Sequence, residues 1–113
     1  MLTIDNIKKI GANADEGLER CLNNEAFYLR MVNLAITDTG FEQLKEVLEA
    51  GDLDTGFERA HALKGVLANV ALTNLLKPVS VMTEWLRART EMDYSPLLDE
   101  MFTELEKYRS LAS

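Results

Sequence analysis

Apolar residues recur along this chain at three- and four-residue spacing with few interruptions, the pattern of amphipathic helices. Ile4, Ile7 and Ile10 predict a short first helix, capped by Thr3 and ended by Gly11. Asn13 or Asp15 starts a second, Ala14 to Leu22, with Leu18, Cys21 and Leu22 inward. Asn24 caps a third from Glu25 to Ile36, whose stripe is Phe27, Met31, Leu34 and Ala35, supported by Tyr28, Leu29 and Val32. Asp38-Thr39-Gly40 reads as a turn that supplies the next cap. The fourth helix, Phe41 to Ala50, turns Phe41, Leu44, Val47 and Leu48 inward and Glu42, Lys45, Glu46 and Glu49 to water, and Gly51 stops it. The fifth runs from Leu53 or Asp54 to about Ala71. Thr73 caps the sixth, to about Ala88, with Leu75, Leu76, Val79, Met82, Trp85 and Leu86 inward. Pro78 should kink that helix or delay its start, because proline lacks an N–H and crowds the preceding turn. After a loop at 89–93, Ser95-Pro96 opens the last helix, which buries Leu97, Leu98, Met101, Leu105 and Tyr108 and runs to about Leu111.

Short connections make successive helices antiparallel neighbours. The expected fold is therefore all-α: an up-and-down four-helix bundle, with the two short N-terminal helices capping one end. Residues 1–113 form a single domain, without internal repeat or linker, and the initiating Met1 fits a stand-alone protein. Aromatic content of 7 % and the scarcity of Gly and Pro favour helices over sheet. A net charge of −7 argues against a phosphate-neutralising nucleic-acid surface. Cys21 is the only cysteine, so no intrachain disulfide forms. The N-terminus lacks the basic and apolar regions of a signal peptide, and no apolar run reaches membrane-spanning length. A cytoplasmic monomer is expected.

The fifth helix carries the only histidine. At about 100° per residue, Leu63, Val66, Leu67 and Val70 share one side, and His61 lies opposite them with Lys64, Gly65 and Ala68. One histidine and one distant cysteine do not build a usual transition-metal site, so no metal is expected. An exposed imidazole is mostly neutral near pH 7 and is then a nucleophile. If phosphorylated, it gains close to two negative charges, which Lys64 on the adjacent turn is placed to meet. Glycine inside a helix costs about 1 kcal/mol relative to alanine. Gly65 points away from the apolar stripe, so access to the ring explains it better than close helix packing. Ala68 extends the small-residue patch. Phe57, Glu58 and Leu72 lie near the same longitude and are candidate partner contacts.

The run His61-Ala62-Leu63-Lys64-Gly65 resembles the motif of the histidine-containing phosphotransfer (HPt) domain: histidine, any residue, an apolar residue, lysine, glycine. Gly17 to Tyr28 is similar to that family's segment ahead of its first long helix, and the acidic helix ending at Ala50-Gly51-Asp52 to the next one. The resemblance implies that His61 accepts a phosphoryl group from a receiver-domain aspartate and passes it to another receiver. It implies that Lys64 stabilises the phosphoryl charge and that Gly65 gives access. Partners would be response-regulator receivers, with a hybrid histidine kinase as a further candidate. No cofactor is expected on this chain, since the receiver supplies magnesium, and no kinase or ATPase activity of its own is implied. The chain departs from the family pattern at Val66, at Ala71, where glycine is frequent, and at Pro78. The alternative is an adaptor bundle that binds a receiver or kinase without carrying phosphate. A sensor-kinase dimerisation module fits less well, because Ala62 rather than an acidic residue follows the histidine and no proline is near.

Overall fold

The computed structural model describes residues 1–113. It contains seven helices and no strand: α1 (Ile4–Lys9), α2 (Ala14–Arg20), α3 (Glu25–Ile36), α4 (Gly40–Glu49), α5 (Leu53–Asn69), α6 (Thr73–Arg87) and α7 (Ser95–Ala112). Helices α4 to α7 form the antiparallel bundle, in which α5 packs on α4 and α6, and α7 packs on α6. Side chains close the ring between α7 and α4: Arg109 donates to Glu42 at 3.0 Å, and Lys45 lies over the Phe102 ring. Helix α3 lies against α7, and Arg109 Nε reaches its Ile36 carbonyl at 2.7 Å. No helix is long and apolar enough to cross a membrane.

Helices α1 and α2 cap the end where α5 turns into α6. Asn13 N–H donates to the Ala71 carbonyl at 2.9 Å, Tyr28 Oη to the Val70 carbonyl at 2.8 Å, and Arg20 to the Ala68 carbonyl. Tyr108 Oη donates to Asn74 beneath them. An 18-residue helix is about 27 Å long, so the 41 Å long axis of the molecule is the bundle plus its cap.

Side-chain caps start the helices where short polar residues precede them. Thr3 and Asn6 make a reciprocal capping box, and Asn13, Asn24 and Asp52 accept from Glu16, Phe27 and Thr55 N–H. In the turn before α4, Thr39 makes no capping bond and Asp38 accepts from Gly40 N–H at 2.6 Å. Two expected caps differ. Thr73 and Ser95 lie inside the helices they were expected to cap. Pro78 neither delays nor interrupts α6, which runs unbroken from Thr73 to Arg87 with the proline ring buried.

The inward faces differ from expectation in four places. In α2, the chain turns left-handed at Leu22 and Asn23 (φ 55° and 59°), so the helix ends at Arg20 and Leu22 is 90 % exposed. In α3, the core takes Tyr28, Val32, Ala35 and Ile36, leaving Phe27 and Leu34 exposed. Apolar residues surround that helix, so periodicity alone does not select a face. In α5, Gly56 and Ala60 join Leu63 and Leu67 inside, and Val66 lies at the surface. In α6, Trp85 is exposed, about 100° from the buried Leu86.

Gly17 is a packing glycine. A methyl group there would lie within the van der Waals surface of the buried Tyr28 ring. Gly17→Ala should destabilise the fold by about 1–3 kcal/mol, read as a lower urea midpoint, because overpacking outweighs the gain in helix propensity. Burial, with Cys21 adding to it, pushes the Tyr28 phenol up to about 12, and burial raises Tyr108 as well. Both are acids held neutral in the folded state. Their contribution is complete below the ordinary phenol value of 10.0 and is lost as pH rises toward the folded values. Stability against urea should therefore decline above about pH 10, and Tyr28→Phe should flatten that decline.

Candidate functional site

Helix α5 sets the site. Asp52 caps it, and hydrogen bonds from Thr55 hold the Asp52 carboxyl below the usual carboxylate range. Ala60 and Leu63 are buried against the bundle, which turns His61 between them outward at the middle of the helix. The imidazole makes no hydrogen bond or ion pair with any other residue. Its one organised contact is Phe57, whose ring stacks on it with centroids 5.6 Å apart and planes 24° from parallel. Both ring nitrogens are thus free of intramolecular partners.

Around the ring, α5 presents Glu58, Ala62 and Gly65 to solvent and leaves Lys64 half-buried. A methyl group on Gly65 would meet nothing within 4 Å. Glycine at this position therefore serves no helix–helix approach. Lys64 Nζ reaches across to α6 and sits 3.6 Å from Glu84 Oε2. Arg87, one turn beyond Glu84, places its guanidinium 3.4 Å from both Glu84 oxygens. Beyond the end of α6, Arg89 Nε donates to Asp54 at 2.6 Å, which ties the start of α5 to the end of α6. Arg87 and Arg89 both lie over Phe57, at 5.1 and 4.8 Å from its centroid.

The candidate partner contacts fare differently. Glu58 is exposed one turn from His61. Phe57 is half-buried, occupied by His61 and by the two guanidiniums, so less of it faces outward than its helical longitude implies. Ala68 is half-buried near the cap, where Arg20 takes its carbonyl. Leu72 is a correction: it is fully buried and offers no docking area. The helix ends at Asn69 and the chain turns left-handed at Ala71 (φ 57°), which swings Leu72 into the core instead of along the His61 longitude. That φ suits glycine. At Ala71, strain of about 1 kcal/mol is offset by burial of its methyl at about 0.8 kcal/mol, so the departure there costs little.

Glu84, Arg87 and Arg89 escaped the sequence reading. The Glu84–Arg87 pair is legible as an i,i+3 spacing, but its junction with Lys64 exists only because α5 and α6 pack side by side.

An antiparallel helical bundle with one exposed histidine at the middle of a helix, followed by lysine and an unpacked glycine, defines a phosphotransfer class of module. The chain belongs to the Hpt domain family: the sequence model of that domain matches residues 34–111, from the last turn of α3 through α7. The segment 17–28, which also resembles the family, lies outside the match. No curated protein and no solved structure gives a significant match. The family serves histidine phosphotransfer in phosphorelays, where its members interact with receiver domains and kinases.

Proposed function

We propose that this protein is a phosphorelay intermediate that carries a phosphoryl group on His61 between receiver-domain aspartates. The lone pair of a ring nitrogen attacks phosphorus in the aspartyl phosphate. The N–P bond forms, the P–O bond breaks, and the carboxylate leaves with the electron pair. The same step in reverse delivers the group to a second receiver. Lys64 balances the added charge. Magnesium and most of the transfer machinery belong to the receiver, so this chain supplies a positioned, unhindered imidazole and needs no kinase or ATPase chemistry. It works as a monomer, because the bundle closes its own core, and in the cytoplasm; the net charge of −7 favours neither nucleic acid nor anionic membranes as partners. A hybrid histidine kinase is a candidate donor.

The observation that carries this reading is the open space at Gly65. A mid-helix glycine weakens the helix by about 1 kcal/mol, and no neighbouring helix uses the gap it leaves. Access to His61 from outside the molecule is what the gap provides. The same feature disfavours an adaptor that binds a receiver without taking its phosphate, since such a protein has no use for a cleared approach to one ring.

Incubation with a phosphorylated receiver domain tests the proposal. The chain should acquire acid-labile, base-stable label within minutes, and a second receiver should remove it. Binding to receivers without any label would establish the adaptor instead.

A further inference from the structure

Lys64 is not free in this structure. Glu84 holds its ammonium at 3.6 Å, and Arg87 orients Glu84 from the next turn of α6. These cations hold the Glu84 carboxyl below the usual carboxylate range, Arg87 chiefly and Lys64 after it. The other charged groups near the ring are Glu58 on α5 and Arg89 beyond α6, whose charge Asp54 meets. Glu84 thus stands between the two helices as the one carboxylate joining Lys64 to Arg87.

We propose that Glu84 is the resident counter-ion of Lys64, displaced when a phosphoryl group arrives on His61, and that it sets how firmly the site holds that group. The proposal rests on His61 as the phosphoryl carrier. Its physical basis is competition for one ammonium. With the ring unmodified, Lys64 pairs with Glu84 across the helix junction. A phosphoryl group carries about twice the charge of a carboxylate, and on His61 it sits on the turn adjacent to Lys64, so the ammonium exchanges partners. On release, the Lys64–Glu84 pair re-forms. A relay intermediate must give up its cargo as readily as it takes it, and a standing competitor for the cation keeps the two states close in free energy. Glu84 acts through Lys64 and is a positioning residue.

Potassium phosphoramidate loads an exposed imidazole without a receiver. The ring nitrogen attacks phosphorus, the N–P bond to the ring forms, and the donor's P–N bond breaks with ammonia leaving on the electron pair. The 31P resonance of the loaded protein, followed against pH, reports proton binding by the phosphorylated imidazole, which a cation held at the phosphoryl group weakens and a nearby carboxylate strengthens. Glu84→Gln should lower the midpoint of that titration by about half a pH unit, a roughly threefold change. In the Lys64→Ala background the same substitution should shift it by less than half as much. No shift in the Lys64-containing protein overturns the proposal. So does a shift in the Lys64→Ala background of half or more of the first, since Glu84 would then act by direct charge alone. If phosphoramidate leaves His61 unlabelled, the proposal falls together with the site. If it loads His61 but no receiver exchanges phosphate with it, only the relay function falls, and the midpoints still decide the role of Glu84.

Discussion

His61→Gln should take no label from a phosphorylated receiver while folding as the wild type does. Two observations separate the functional loss from any structural one. The imidazole is exposed and has no hydrogen-bond partner, so its removal orphans no buried group. Its only organised contact is the stack on Phe57, which remains covered by Arg87 and Arg89. Exposed substitutions of this kind fall within about 0.5 kcal/mol of neutral, so urea midpoints should coincide. Labelling should drop to the background of the assay, because no other histidine exists to accept the group. Persistent acid-labile label on the glutamine variant would remove His61 from the mechanism.

The second large effect is at Gly65, where stability and transfer should move in opposite directions. Gly65→Ala adds a methyl group into open space and removes the conformational cost of glycine, so the protein should gain up to about 1 kcal/mol in urea unfolding. Gly65→Gln gains most of the same helix propensity but places a long side chain one turn from the ring. Receiver approach then fails by an ångström or more. A misplacement of that size costs on the order of 100-fold in a positioned reaction, and rapid-quench transfer rates should show it. A packing role for this glycine would give the reverse pattern, with stability falling and transfer following it. Gly17 supplies the internal control, since alanine there meets the Tyr28 ring and should destabilise without touching the site.

Much of the site is readable from the sequence alone. His61, Lys64 and Gly65 lie within one and a half turns of a single helix, so their relative placement follows from helix geometry and needs no tertiary information. The same logic failed at Leu72, which shares the His61 longitude only if the helix continues past Asn69. It failed again in α3, where Phe27 and Leu34 belong to a stripe as apolar as the one that is buried. At Leu72 the deciding feature was a left-handed turn at Ala71, a residue that lacks the glycine signal for it; in α3 it was non-local, the position of α7.

The sequence by itself determined the helical class, most of the helix boundaries to within a residue or two, and the outward histidine with its motif. These depend on spacing and capping within a few residues, where local energetics decide. Only the tertiary structure decided which face of α3 meets the core, that Pro78 leaves α6 unbroken, and that Lys64 is paired with Glu84. Those outcomes depend on which helices become neighbours, because burial and ion pairing are properties of two surfaces brought together.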